Sequence, residues 1–208
     1  MPPITFTDAD FQGMDHEQDD PMVIILEIKN FAVKKVLIDQ GSLVDILYWA
    51  TYQKLQLPTK AMIPYDEPIY GFSGEKLYTR GYIDLHTLFC EGHQTKTIPI
   101  CYLVVDAHTS YNVLLGRPSL NKLWAIVSTP HLAMKFPSSS GYIITIHGDE
   151  RLVRECYIAI LQPKEPALVT NIERHPDVGL TLANEDLDPR ICYDSHIKPI
   201  KALNLVSV

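Results

Sequence analysis

Between residues 22 and 146 the chain is a succession of short apolar runs separated by turn-forming residues. The runs at 22–29 and 33–39 read as two strands joined by a turn near Phe31 and Ala32. Segment 64–85 reads as a hairpin, and 86–89 and 97–105 as further strands. Pro99 is expected near a strand start or edge, because it has no N–H to give to a ladder. Residues 111–115 read as a buried strand, followed by a glycine corner at Gly116 and a helix with Pro118 in its first turn. Runs at 124–128, 131–136 and 142–146 complete the series. Many short strands at such close spacing favour an all-β fold, a small closed or nearly closed barrel. Segment 44–57 breaks the pattern. Its Val44, Ile46, Leu47, Trp49, Tyr52 and Leu55 fit one broad helical face that Pro58 would end.

The flanks differ from this middle. Residues 1–21 are polar and acidic, with Asp8, Asp10, Asp15, Glu17, Asp19 and Asp20, and read as a solvated arm or linker. From 162 to 208, Pro163, Pro166, Pro176, Pro189 and Pro199 punctuate a charged stretch, read as a linker or poorly ordered tail. The barrel is thus expected over 22–161. A formal charge of −7, from 25 acidic against 18 basic residues, disfavours nucleic acid as a partner. No apolar run has the length of a membrane span, and the amino terminus lacks the pattern of a secretory signal. The four cysteines, Cys90, Cys101, Cys156 and Cys192, form no C-x-x-C pair, which leads us to expect free thiols in an intracellular, cytoplasmic protein. Cys101, inside an apolar run, reads as a small core residue. No cofactor or metal site is expected, since the eight histidines show no paired metal spacing.

One stretch carries chemistry. Val36-Leu37-Ile38 delivers Asp39 into a turn, and Gly41 follows two residues later. Aspartic proteolysis needs this arrangement: an apolar strand presenting a carboxylate, with a glycine that lets the backbone bend close to a partner loop. One acid is not enough. One carboxylate must activate water while a second, still protonated, donates to the scissile carbonyl. Two carboxylates about 3 Å apart repel by about 5 kcal/mol at an effective dielectric near 20, so the pair shares a proton. The second Asp-x-Gly, Asp177-Val178-Gly179, follows His175-Pro176 and has no apolar strand to deliver it. A symmetric dimer that supplies Asp39 twice is the better solution.

Further patches bear a resemblance. Ile4-Thr5-Phe6-Thr7-Asp8-Ala9-Asp10, the Asp39 loop with Asp45-Ile46-Leu47, Gly71-Phe72-Ser73-Gly74 with 81–85, 111–118 and 128–137 together are similar to the protease segment of plant gypsy-type long-terminal-repeat retrotransposon polyproteins. The corresponding protease family is the retropepsins. The resemblance covers about residues 4–160, and the chain beyond resembles the spacer toward a reverse transcriptase. No polymerase motif follows, so the sequence is expected to be a piece of a larger polyprotein or the product of a truncated gene copy. The resemblance implies a barrel of the retropepsin type with one or two short helices and a flap hairpin. It also implies an aspartic endopeptidase acting as a homodimer on an extended peptide or polyprotein. Asp39 would be the catalytic acid, in a loop with Gln40, Gly41 and Ser42. Ser42 would bond the outer oxygen of Asp39. Gly71, Phe72, Ser73 and Gly74 would lie in the flap over the substrate. Leu115, Gly116 and Arg117 would support the loop, with Asp45 as the candidate partner of Arg117.

Gln40 departs from the family pattern, which usually carries Thr or Ser there, a short hydroxyl that bonds the opposing loop. A glutamine amide on its longer stem cannot form that bond with the same geometry. A second reading therefore stands beside the first: a catalytically inactive barrel, either a decayed copy or a protein-interaction module. Trp49 and Trp124 read as core or interface residues. Ser138-Ser139-Ser140-Gly141 reads as a turn and not as a nucleophile elbow.

Overall fold

A computed structural model describes residues 3–11, 18–71, 74, 76–161 and 172–174. Its elements run in chain order β1 (Val23–Ile28), β2 (Phe31–Ile38), β3 (Asp45–Tyr48), α1 (Trp49–Lys54), β4 (Ile69–Tyr70), β5 (Lys76–Leu77), β6 (Thr79–Glu91), β7 (Gln94–Val105), β8 (Val113–Leu115), α2 (Arg117–Leu123), β9 (Ile126–Ser128), β10 (Ala133–Pro137), β11 (Ile143–His147), α3 (Glu150–Leu161) and β12 (Ile172–Arg174). Six strands pair in the order β1-β6-β7-β3-β8-β2, and β2 pairs back on β1, so the sheet closes into a barrel. Closure removes the exposed edges that so many short strands would otherwise leave. β9, β10 and β11 form a separate antiparallel sheet.

The local chemistry explains the strand ends. β1 turns into β2 at Lys29-Asn30, where both residues have positive φ, 52° and 65°, as a two-residue hairpin turn requires. Phe31 and Ala32, expected in that turn, already belong to β2. Further along, Ile25 opposes both Lys34 and Lys35, a bulge with Lys35 at φ 58°. Asn112 pins it. This buried side chain donates to the Lys34 carbonyl at 2.7 Å, accepts from Thr51 Oγ1 at 3.0 Å, and its backbone N–H reaches the Lys35 carbonyl.

The stretches that read as separate strands between 77 and 105 are one long hairpin, β6 with β7, turning at Gly92-His93. His86 and Thr87 look like a break in the apolar pattern but are not. Thr87 is buried among the interior residues and bonds the Tyr102 hydroxyl at 2.8 Å. That deep burial pushes the Tyr102 phenol far above its ordinary value. Pro99 sits in mid-strand, not at the start. It is tolerated because β3 pairs only with Tyr102–Val105 of β7, which leaves β7 an edge at Pro99 on the side away from β6.

Three expectations are corrected and one is narrowed. Segment 44–57 is not one helix but strand β3 followed by the short α1. β3 lies between β7 and β8 with both faces covered, so Ile46 and Leu47 are both buried. A strand apolar on both faces reads like a buried helix. Cys101 is not core: it faces outward on β7, opposite Asp84 of β6. Trp124, read as core or interface, is not core: it is 67% exposed and takes the left-handed conformation (φ 61°) that ends α2, which leaves the interface reading open. The arm, expected to be solvated, docks by residues 3–11 on the β9–β10–β11 sheet. Lys135 of β10 pairs with Asp10 and donates to the Thr5 carbonyl, while Phe6 and Phe11 pack on His131. Lys135 accordingly holds the Asp10 carboxyl below its ordinary value.

α3 is an addition to the expected elements. Asp149 caps it by accepting the Leu152 N–H at 3.2 Å. Leu152, Val153 and Cys156 are buried, the first two packed with Val23, and Ile25, Leu37 and Tyr111 lie alongside. Within the stretch that reads as a tail, β12 pairs antiparallel with β2 at Phe31–Val33. Among the described residues, no helix is long and apolar enough to cross a membrane.

Candidate active site

β2 and β8 run parallel, with Val36, Leu37 and Ile38 opposite Val113, Leu114 and Leu115. Their carboxyl ends therefore open side by side. The ladder continues one step past β2, where the Asp39 N–H donates to the Leu115 carbonyl at 2.9 Å. The chain then turns, and its own loop orients the carboxylate. Gly41 N–H donates to Oδ1 and Ser42 Oγ to Oδ2 of Asp39, each at 2.8 Å. Both oxygens are held, while Asp39 stays partly open to solvent and Gln40 and Gly41 are exposed. A side chain at position 41 would begin 3.1 Å from Asp39 Oδ1, tight against the group it must leave free.

Gly116 is where the second loop grips the first. A Cβ there would lie 2.3 Å from the Val44 carbonyl oxygen and 2.9 Å from that of Ser42. Only glycine permits that approach. The next residue, Arg117, donates its backbone N–H to the Ser42 carbonyl at 2.9 Å. The side chain of Arg117 is not part of the site: it is exposed at the start of α2.

Asp45, expected to pair with Arg117, has different partners. It is 4% exposed and accepts from Gly116 N–H at 2.7 Å and from Ser119 Oγ at 2.8 Å. It thus caps α2 from a neighbouring strand, at a helix start where Gly116 offers no side chain. Burial raises the Asp45 carboxyl above its ordinary value, against the pull of Ser119, Gly116 and Lys122. Asp45 ties β3 to the turn that supports Asp39. In the sequence, the acid at 45 and the hydroxyl at 119 are 74 residues apart, and no local signal joins them.

An apolar wall flanks this loop. Ile46, Val105 and Leu114 are buried outside the barrel interior, with Leu37, Val44, Tyr48 and Ile69 packed on them. Leu37 and Leu114 are the residues just before the paired ends that hold Asp39. Ile69 belongs to the small β4–β5 hairpin, so that hairpin rests on the same wall. Sequence reasoning does not single out Tyr48, which no local pattern links to the Asp39 loop. Burial raises its phenol above the ordinary value, Thr109 opposes this by a hydrogen bond, and the Asp39 charge adds to the rise. In the hairpin, Gly71 is half-buried and Gly74 exposed, with a turn bond from Gly74 N–H to the Gly71 carbonyl at 3.0 Å. Phe72 and Ser73, expected in the flap, and Asp177 lie outside the described residues.

The site therefore offers one oriented, solvent-reachable carboxylate beside an apolar wall on which the β4–β5 hairpin rests. Asp45, the nearby acid in sequence, is buried and engaged with α2. Among the described residues, no group of three or more His, Cys, Asp or Glu is placed to hold a metal ion.

No family model and no curated protein matches the chain. Solved structures do. The chain is similar to the retroviral protease-like domain of Ddi1 from Leishmania major, at 13% identity over 64% of this chain and 96% of that one, with a TM-score of 0.49. It is similar to the EIAV protease, solved with the inhibitor HBY-793, at 21% identity over 55% and 99% of the two chains, with a TM-score of 0.41. A retropepsin-like aspartic protease from Rickettsia conorii gives 15% identity, 60% and 80% coverage and a TM-score of 0.38.

Proposed function

We propose that this chain is a retropepsin-like aspartic endopeptidase that works as a homodimer, within the polyprotein of a gypsy-type plant retrotransposon. One observation carries the reading. Asp39 stands at the open end of a buried strand with each carboxylate oxygen oriented by its own loop, braced from behind by Gly116. Such a group has the orientation of a catalytic acid but no partner acid among the described residues, and a copy of itself across a twofold axis supplies one. One carboxylate of the pair then takes a proton from water as the water oxygen bonds to the scissile carbonyl carbon, and the other, protonated, donates to the carbonyl oxygen. The C–N bond then breaks as the first passes its proton to the leaving amine, and a hydroxyl of the intermediate returns a proton to the second, which leaves the acid product and restores the shared proton.

The surface supports self-association. Leu43, beside the loop, is 71% exposed, and Trp124 and Ile126 are exposed beyond α2. A mostly apolar groove at that end of α2 is lined by Pro3, Ile4, Leu120, Asn121, Trp124 and Ile126, and β9 next to it is an edge strand among the described residues. A substrate held as an extended strand would lie between the β4–β5 hairpin and the wall of Ile46, Val105 and Leu114, with apolar side chains next to the scissile bond.

The test is cleavage of a polyprotein-derived peptide at mildly acidic pH, with turnover expected from the wild type and none from Asp39→Asn. A second reading rests on Gln40. This exposed residue replaces the short hydroxyl at the loop tip that would reach the opposing loop, which favours an inert barrel. Wild-type turnover no higher than the Asp39→Asn background, at concentrations where dimers form, would establish that second reading.

A further inference from the structure

At the root of the β4–β5 hairpin, β6 meets β7 with a register shift: Thr79 opposes Val105 and Gly81 opposes Val104. Arg80 is the extra residue. A bulge of this kind re-aims one side chain, and bulges gather next to functional sites. The guanidinium carbon of Arg80 lies 4.2 Å from the centre of the Trp49 ring, and Trp49 stacks in turn on Tyr52 at 5.2 Å. Nε and Nη2 of Arg80 both donate to Oδ2 of Asp106, the residue after β7.

The backbone on either side of the bulge is fixed. Ile63 and Tyr82 exchange two hydrogen bonds of 2.9 and 2.8 Å, and Thr79 Oγ1 donates to the Tyr65 carbonyl at 2.8 Å. Gly81 has φ 142°, and a Cβ there would lie 2.4 Å from the Ile63 carbonyl oxygen. β4 and β5 are thus tied at their root to this anchored pair, and Ile69 rests on the wall. An ion pair as exposed as Arg80–Asp106 contributes little by itself. A guanidinium held over an indole while it pairs with a carboxylate is more constrained, since two partners on different elements fix where it sits.

We propose that Arg80 is a positioning residue: stacked on Trp49 and paired with Asp106, it sets the angle at which the β4–β5 hairpin stands over the wall beside Asp39. The consequence for catalysis rests on the peptidase reading above; the clamp itself does not. Trp49 directly follows β3, whose Tyr48 belongs to that wall, so the clamp joins the hairpin root to the site through one short segment.

The test is amide hydrogen exchange on the full chain, read at residues 66–71 and 76–78. Arg80→Ala and Asp106→Asn are each expected to speed exchange there about fivefold, and the double variant no more than either alone, because both remove one clamp. Arg80→Lys keeps the charge without the planar stack and is expected to fall between wild type and Arg80→Ala. Exchange in β10 and β11 should not change. In the peptide assay, Arg80→Ala should raise KM several-fold with a smaller effect on kcat. Unchanged exchange in Arg80→Ala, or an equal rise in β10 and β11, would overturn the clamp. If exchange responds but the wild type cleaves nothing, the clamp stands and the peptidase reading falls. If the wild type cleaves and exchange does not respond, the clamp falls alone.

Discussion

Asp39 and Asp45 are six residues apart and have opposite tasks. Asp39 is presented to solvent with its oxygens oriented, whereas Asp45 is buried and spends its oxygens on Gly116 and Ser119. Removing the Asp45 acceptor would leave a buried N–H and a buried hydroxyl without a partner. Asp45→Ala is therefore expected to cost about 2 kcal/mol in chemical unfolding. Asp45→Asn keeps an oxygen for Gly116 and lets Ser119 accept in place of donating, so its cost should stay below about 1 kcal/mol. The pH dependence has a definite sign. Burial raises the folded-state value of Asp45 above the ordinary 3.8, so in the window between the two the folded state binds more protons than the unfolded one. Stability contributed by this group thus rises as pH falls from neutral through the folded value. Wild type should gain on Asp45→Asn as the solution is acidified over that window; a loss would show that burial does not dominate at this residue. At Gln40, exchange for Thr restores a short hydroxyl at the loop tip. Gln40→Thr should tighten self-association several-fold by sedimentation, and an unchanged constant would remove the missing hydroxyl as an explanation for weak pairing. Asp39, Gly41, Ser42 and Gly116 are legible in the sequence because their roles are local, set by a turn and a close approach. The Asp45–Ser119 bond is not legible, since it joins two elements that only the closed sheet brings together.

At the scale of elements, an apolar run set off by turn residues is readable as a strand, even when fully buried as β8 is, whereas one that runs straight on into a helix is not. β1, β2, β8, β10 and β11 appear close to where the apolar runs place them. β3 reads as the start of a helix because neighbours on both faces demand apolar residues at successive positions. β6 and β7 read as several strands because Thr87 places a hydroxyl inside the barrel, where Tyr102 satisfies it. α3 carries its own signals: Asp149 at the cap, paired charges Glu150 with Arg154 and Arg151 with Glu155, and the buried Leu152, Val153 and Cys156. The proline-rich stretch that follows overshadows them. The bulge at Arg80 has no sequence signature beyond Gly81, since it arises from how Ile63 and Tyr82 meet. Hydrogen exchange at 66–71 and 76–78 reads the motion of the β4–β5 hairpin against its root, and Arg80→Ala is expected to speed it.

For the whole molecule, the barrel explains why a single acid can be so well prepared and still be incomplete. Closing six strands brings β2 and β8 side by side and leaves their ends pointing the same way, with Asp39 at the rim. Nothing within the described residues sets a second free carboxylate beside it. The exposed Leu43, Trp124 and Ile126, and β9 as an edge strand among the described residues, are surface features that the proposed second copy would cover. The most direct measurement is a mixing assay. Wild-type protein at fixed concentration is combined with increasing Asp39→Asn protein, and peptide cleavage is followed. If each active unit takes one Asp39 from each of two chains, the variant should draw wild-type chains into dead pairs and activity should fall toward zero as it comes into excess. Cleavage that persists undiminished under that excess would contradict the shared-site dimer, and with it the catalytic role of Asp39.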